Sequence, residues 1–184
     1  MHSIIKPAGI LFLICILVAL AVAYTYNLTR ETILLREHEE NMRAMASVMP
    51  GAGTFEDITN EFMDNVGDAN LRLKVNSVQM SQEGTVFNVS VKGYTESIVI
   101  TVGILKDHTV SGIAIGRNTE TPSIGKKIEE KAFTDTFSGL DAYANLSKEV
   151  DIISGATISS RAVIEGVGEV LKAYDLFVRR EGNH

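Results

Sequence analysis

An uncharged N-terminal segment is the feature that most constrains how this chain can fold. No charged residue occurs between Pro7 and Thr29, and residues 8–26 are almost wholly apolar. A helix rises about 1.5 Å per residue, so this run would extend roughly 30 Å, enough to cross the hydrocarbon core of a bilayer. Tyr24 and Tyr26 at its end suit a membrane–water interface. The sequence therefore predicts a single transmembrane anchor over residues 1–28.

A cleaved signal peptide is the alternative interpretation of this segment. Ala21-Val22-Ala23 resembles a signal-peptidase site, and Lys6 could serve as a short basic region before the apolar run. The apolar run is long for a signal peptide, which favours a retained anchor. Basic residues flank the run on both sides, Lys6 before it and Arg30 and Arg36 after it. Charge alone therefore leaves the orientation open.

Composition excludes several classes of function for the rest of the chain. The net charge is -6, and an acidic domain without basic patches is a poor partner for nucleic acid. The single cysteine, Cys15, lies inside the apolar run. It permits no intramolecular disulfide and no zinc or iron–sulfur cluster built by this chain. The four histidines are scattered without metal-ligand spacing and are typical of solvated surface residues. We therefore expect no metal site.

The pattern along the chain predicts an α+β fold. A charged helical stalk covers residues 29–50, and one domain covers residues 51–184. A short helix is expected over residues 56–66. Alternating or β-branched residues predict strands over 85–91, 97–104 and 109–115, with turns at 82–84 and 106–108. Ile124, Ile128, Ala132 and Phe133 indicate an amphipathic helix, and residues 146–153 look extended or loop-like. Strands followed by helices favour an antiparallel sheet flanked by helices that cover one side.

Thr157 is the main candidate for a functional residue. It precedes a helix signal, because apolar residues recur on one face at Val163, Val167, Val170, Leu171 and Tyr174. Free N–H groups and the positive dipole end of a helix N-terminus favour a phosphate. Gly155 and Ala156 would let a phosphate ester approach the backbone, and Ser154, Ser159 and Ser160 add hydroxyl groups. The alternative is an ordinary Ser/Thr-rich N-cap with a tight turn.

Three segments carry a resemblance to a known family. Residues 151–157 read Asp-Ile-Ile-Ser-Gly-Ala-Thr, which resembles the flavinylation motif Asp-x-x-Ser-Gly-Ala-Thr of FMN-binding subunits in membrane electron-transport complexes. Residues 93–104 are similar to the strand pair before the flavin loop. Residues 118–125 resemble that loop, usually His-x-Glu-Thr-Pro-Gly-Leu-Gly. Asn118 replaces the usual His and Ser123 the first Gly; the matching residues are Glu120, Thr121, Pro122 and Gly125.

The order of these features is similar to that of the G subunit of Rnf-type ion-translocating oxidoreductases, with the C subunit of the sodium-pumping NADH:quinone reductase as a close relative. The resemblance implies a single-pass protein of the cytoplasmic membrane whose domain of residues 51–184 lies on the extracytoplasmic side. Such a protein relays electrons through FMN, in a complex that couples ferredoxin:NAD oxidoreduction to Na⁺ or H⁺ movement. The resemblance further implies other membrane subunits as partners, and no complete reaction by this chain alone.

The resemblance also implies roles for individual residues. FMN is expected as a phosphoester on Thr157, installed by a flavin transferase that recognises Asp151. The matching residues of the flavin loop are expected near the flavin. Three alternatives remain open: the FMN subunit of a sodium-pumping reductase, a cofactor-free membrane-tethered assembly domain, and a hydrolase. The last lacks support, because no His or Lys lies beside Ser154 or Thr157 in sequence.

Overall fold

The computed structural model describes residues 2–66, 71–141 and 144–181. The chain divides into two compact units, one comprising residues up to Glu40 and the other beginning at Asn41.

The first unit consists of helix α1, which runs from His2 to Val48 and extends into the start of the second unit. Within the described residues, the stretch from Pro7 is long and apolar enough to cross a membrane. Its large apolar side chains are solvent-exposed, Phe12 by 68 %, which is the arrangement that suits lipid rather than a protein core. The helix continues without a break through the segment predicted as a helical stalk.

The second unit contains a five-stranded antiparallel sheet in which strands follow one another in chain order. Its strands are β1 (Glu56–Asp57), β2 (Lys74–Met80), β3 (Gly84–Lys92), β4 (Ser97–Leu105) and β5 (Val110–Ile115). The three predicted strands and both predicted turns are confirmed. Strands β1 and β2 were not predicted. Alternation explains the confirmed strands, since Ile98, Ile100, Val102 and Ile104 of β4 are fully buried on one face.

The helix predicted over residues 56–66 begins later than expected. Residues 56 and 57 form β1, and α2 spans Thr59–Val66. Asp57 Oδ1 accepts the N–H of Thr59 at 2.9 Å, which satisfies a donor at the start of this helix. Hydrogen bonds from the side chain and backbone of Thr59 also hold the pKa of Asp57 below its usual value.

The remaining helices are α3 (Lys131–Thr134), α4 (Leu146–Glu149) and α5 (Thr157–Glu181), with 3₁₀ turns at Gly125–Glu129 and Asp135–Phe137. The amphipathic helix predicted from Ile124 is thus broken, because Glu130 adopts an extended backbone (φ -69°, ψ 137°). The segment predicted as extended before Thr157 contains α4, whose Leu146 is buried against the core. The long helix α5 is confirmed.

The main core lies between the sheet and the helices α2 and α5. Phe62 packs against Phe87 and Phe177 at ring distances of 5.2 and 5.3 Å, contacts that stabilise by about 0.5–1.5 kcal/mol each beyond their buried area. Tyr174 lies 5.4 Å from the ring of His108, which is half-buried rather than solvated as expected. The five residues predicted for the apolar face of α5 are all buried.

A second, smaller core corrects the prediction of a sheet covered on one side. Met45, Val48 and Met49 pack against Val86, whose side chain lies on the opposite face of β3 from Phe87. The Ser111 hydroxyl donates to the carbonyl of Val48 and satisfies an acceptor at the end of α1. The last turns of α1 are therefore part of the folded domain.

Candidate functional site

Three segments that are distant in sequence border one open cleft. They are the turn between β3 and β4, the loop of residues 118–125 after β5, and the first turn of α5. The cleft has a volume of about 390 Å³, within the usual range for small-molecule sites. Its lining residues are Tyr94, Glu120, Thr121, Ile124, Gly125, Gly155, Ala156, Thr157, Ile158 and Ser159.

A turn at residues 153–156 sets the direction of α5. Gly155 has a φ of +86°, a conformation that glycine adopts without steric cost. The carbonyl of Ile153 accepts the N–H of Ala156 at 3.0 Å. The Ser160 hydroxyl accepts the N–H of Ile153 at 3.3 Å and donates to the carbonyl of Ala156 at 2.9 Å. Ser160 is fully buried, so its hydroxyl holds the turn together instead of facing the cleft.

Thr157 is the first residue of α5 and is exposed. The N–H of Ser160 donates to the carbonyl of Ala156 at 2.9 Å, so the N–H groups of the three preceding residues belong to the unsatisfied first turn. Such N–H groups, with the positive end of the helix dipole, attract an anion. The Thr157 hydroxyl therefore lies next to N–H groups that can bind an anion, at the start of α5.

Glu120 connects all three segments of the cleft through its carboxylate. Its Oε1 accepts the N–H groups of Tyr94 at 2.9 Å and Thr95 at 3.2 Å. Its Oε2 accepts the hydroxyl of Ser159 at 2.5 Å. The side chain is only 2 % exposed. A buried carboxylate with three donors is well satisfied, whereas an unpaired one would be costly.

Two glycines make room for this carboxylate. A Cβ at Gly93 would lie 2.4 Å from Glu120 Oε1 and 2.9 Å from the carbonyl of Glu96. A Cβ at Gly125 would lie 2.9 Å from both Cβ and Oε2 of Glu120. All four distances are shorter than non-bonded contacts allow, so any larger residue at either position would displace Glu120.

Asn118 shapes the loop that carries Glu120. Its Oδ1 accepts the N–H of Glu120 at 3.2 Å, and its Nδ2 donates to Gly116 O at 3.0 Å and Glu129 Oε1 at 2.9 Å. Further along the loop, Ser123 has a φ of +64°. Residues other than glycine are strained in this left-handed region. The position where the resemblance expects Gly is thus one that favours Gly, and Ser123 occupies it at a cost.

The rim of the cleft presents apolar surface to solvent. Tyr94 is 66 % exposed, Ile124 50 % and Ile158 54 %. Exposed apolar groups beside a concave site are typical of surfaces that bind a ligand or partner. The cleft combines flat apolar surface, a hydroxyl and free N–H donors, which together suit a planar aromatic ligand with a phosphate.

A larger opening of about 660 Å³ lies along α4 and α5, lined in part by Arg72, Lys92 and Glu169. None of the residues from the two sequence motifs lines it. The smaller cleft, which the motif residues do line, is therefore the better candidate for the functional site.

The chain is similar to known proteins over most of its length. Residues 93–172 match the model of the FMN-binding domain family, and residues 1–48 match that of the RnfG N-terminal region. The G subunit of the ion-translocating oxidoreductase complex of Methanosarcina acetivorans is 30% identical over 179 residues, which cover 90% of this chain and 91% of that protein. This chain belongs to the family of G subunits of ion-translocating oxidoreductase complexes.

Two further proteins are similar to this member of the G-subunit family. The G subunit of the Na⁺-translocating ferredoxin:NAD⁺ oxidoreductase complex of Acetobacterium woodii is 28% identical over 93% of this chain and 91% of its own length. A crystal structure of the C subunit of the Na⁺-translocating NADH-quinone reductase from Parabacteroides distasonis has a TM-score of 0.44 and 20% identity, over 55% of this chain and 61% of its own.

The cleft gathers most, but not all, of the residues singled out from the sequence. Those that line it are Glu120, Thr121, Gly125, Gly155, Ala156, Thr157 and Ser159. Pro122, Ser154 and Asp151 are exposed and do not line it, and Ser160 is buried beneath the turn. Sequence reasoning missed Tyr94, Ile124 and Ile158 as site residues. The sequence did offer a signal for them, since Tyr94 and Ile124 lie inside segments that carry the resemblance and Ile158 directly follows Thr157.

Proposed function

We propose that this chain is the membrane-anchored flavoprotein subunit of an ion-translocating ferredoxin:NAD oxidoreductase complex and transfers electrons through FMN bound in the cleft. The observation that carries the proposal is the meeting of three segments of the FMN-binding domain at one cleft, in a chain of the G-subunit family. Other subunits of that complex are its partners. FMN supplies the redox chemistry when bound, and the protein supplies binding, orientation and electrostatics.

The residues of the cleft fit FMN. The exposed side chains of Ile124, Ile158 and Tyr94 offer apolar surface to an isoalloxazine ring. The N–H groups at the start of α5 would receive the phosphate. A Cβ built at Gly155 would meet only Ile124 Cγ2, at 4.0 Å, so the space beside Gly155 is open, and Thr157 two residues later is exposed.

We propose further that the phosphate is esterified to the hydroxyl of Thr157. Two neighbouring hydroxyls are already engaged, since Ser159 donates to Glu120 and Ser160 to the carbonyl of Ala156. Both are buried, whereas Thr157 is exposed. A flavin transferase that recognises Asp151 would install the group, and the exposed Asp151 is accessible to such an enzyme.

Substitution of Thr157 tests the linkage. In cells that express a flavin transferase, Thr157→Ala should abolish flavin fluorescence that survives denaturation, and Thr157→Ser should retain part of it because a hydroxyl remains. Thr136→Ala is the matched control, because Thr136 is an exposed threonine outside both motifs, and it should leave the fluorescence unchanged. Mass spectrometry of the tryptic peptide of residues 149–161 should locate FMN at residue 157. An unmodified wild-type peptide, or FMN on Ser159 or Ser160, would contradict the linkage.

The membrane topology completes the proposal. Residues 1–28 form the anchor, residues 29–50 a helical stalk, and residues 51–184 the FMN-binding domain on the extracytoplasmic side. The apolar stretch of α1 and the match of residues 1–48 to the RnfG N-terminal region support the anchor. The last turns of the stalk pack on this domain through Met45 and Val48, and the compact unit that contains the domain begins at Asn41.

A further inference from the structure

We propose that Glu120 holds a fixed negative charge at the base of the cleft and that this charge lowers the midpoint potential of the bound FMN. The inference rests on the proposed function, because it requires FMN in this cleft. It assigns Glu120 as a positioning and electrostatic residue.

The hydrogen bonds around Glu120 are those of an ionised carboxylate. Two backbone N–H groups, of Tyr94 and Thr95, can only donate, and both point at Oε1. The Ser159 hydroxyl donates to Oε2. An ionised carboxylate is an acceptor-only group and satisfies all three donors at once.

No cation neutralises this charge within the part of the chain that the structure describes. Ion pairs seen there join Lys126 to Glu129, Lys172 to Glu169, and Arg179 to Asp175, and none of these involves Glu120. Glu120 is 2 % exposed, so water screens it far less than a surface charge. Its field therefore acts on whatever fills the cleft above it.

The consequence for a flavin follows from its charge change. Reduction of a flavin adds negative charge to the ring system, and a neighbouring carboxylate raises the free energy of the reduced form relative to the oxidised one. The midpoint potential falls as a result. Glu96 provides the contrast in the same region, because it is exposed and its carboxylate accepts the Thr119 hydroxyl at 3.1 Å.

The same carboxylate orients the attachment point. Ser159 lies two residues after Thr157 in the first turn of α5, and its bond to Glu120 ties that turn to the β3–β4 turn through Tyr94 and Thr95. Charge and hydrogen bonding can be separated by substitution. Glu120→Gln removes the charge but keeps the size and an acceptor oxygen, whereas Ser159→Ala keeps the charge and removes one donor.

Redox titration of the purified full-length flavoprotein in detergent tests the inference. Glu120→Gln should shift the oxidised/reduced equilibrium of FMN at least ten-fold towards the reduced form, a rise of about 30 mV for a two-electron couple. Glu96→Gln should shift it much less. Ser159→Ala should not raise the potential, because the carboxylate loses a donor and keeps its charge. An unchanged potential in Glu120→Gln, or an equal rise in Glu96→Gln, would overturn the inference.

Comparison of Glu120→Gln with Ser159→Ala separates an electrostatic role of Glu120 from a purely structural one. A purely structural role would shift Glu120→Gln and Ser159→Ala in the same direction, so equal rises in both would overturn the electrostatic role. If Glu120→Gln does not retain FMN, Ser159→Ala decides alone: a rise in the potential would overturn the inference, and a fall or an unchanged potential would support it.

Ile124→Ala, in the same cleft, should alter the flavin absorption spectrum. If it does while Glu120→Gln leaves the potential unchanged, only the inference fails; if neither variant affects the flavin, its placement in the cleft fails as well.

Discussion

Single residues around the cleft combine strain with close packing. Ser123 lies in the left-handed region at φ +64°, and Gly93 and Gly125 approach a buried carboxylate closely. Left-handed backbone costs an L-residue roughly 1–2 kcal/mol, a penalty that glycine avoids. Ser123→Gly should therefore raise the free energy of unfolding by up to about 1 kcal/mol, after glycine's greater entropy loss is subtracted. Thermal unfolding of the solubilised protein measures this.

The control for this prediction is another exposed serine in a turn. Ser138 has an ordinary φ of -66°, so Ser138→Gly should lower the unfolding temperature. A lower unfolding temperature in Ser123→Gly as well would show that the loop gains more from the serine than its backbone conformation costs.

Glycines at the cleft give a second prediction at this scale. Gly93→Ala would place a methyl group 2.4 Å from Glu120 Oε1 and 2.9 Å from backbone, and overpacking of this kind costs about 1–3 kcal/mol. The variant should unfold at a lower temperature and retain less FMN. Gly53→Ala is the matched control, because a Cβ there meets nothing within 4 Å. Equal unfolding temperatures for the two variants would contradict the close packing seen at Gly93.

At the level of elements, helix α5 packs closely against strand β3 of the sheet at Gly166. A Cβ there would lie 2.5 Å from Val91 Cγ1, whereas at Gly168 it would lie 3.7 Å from Leu146 Cδ1, an ordinary contact. Alanine is favoured over glycine inside a helix by about 0.5–1 kcal/mol. Gly168→Ala should therefore stabilise the protein, and Gly166→Ala should destabilise it by about 1–3 kcal/mol. Parallel thermal melts compare the two, and the same sign for both would refute this packing.

The elements also show which parts of the fold were readable from sequence. The apolar period of α5 and the alternation of β3 and β4 predict them, because each buries one continuous face. Strand β2 carries no such signal. Its register shifts between Val75 and Ser77, and Asn76 is exposed and bonds to Asn88 and Ser90 of β3. Its strand conformation depends on pairing with β3 more than on its own sequence.

The site, like the fold, has features that the sequence predicts and contacts that it does not. Motifs in the sequence pointed to Glu120 and Thr157, but not to the bonds that Glu120 makes with Tyr94 and Ser159, which are 26 and 39 residues away in the chain. Such contacts depend on the packing of α5 against the sheet, which no local pattern encodes. The resemblance likewise could not show that Ser160 is buried under the turn while Thr157 is exposed.

For the whole molecule, one helix joins an apolar segment to a folded domain. The described side chains of α1 are exposed from Pro7 to Ile33, whereas Met45 and Val48 are buried in the smaller core of the domain. Under the proposed function, the side of the membrane on which the domain lies decides which compartment the bound flavin faces.

Labelling of an introduced cysteine determines that side. The native chain has only Cys15, within the apolar run, so the lipid should shield it from a membrane-impermeant maleimide. Lys106 is exposed in the turn between β4 and β5, and Lys106→Cys should react in intact spheroplasts if the domain is extracytoplasmic. The native chain is the control and should stay unlabelled until detergent is added. Reaction of Lys106→Cys only after lysis would place the domain in the cytoplasm, and the cleft would then face soluble donors directly.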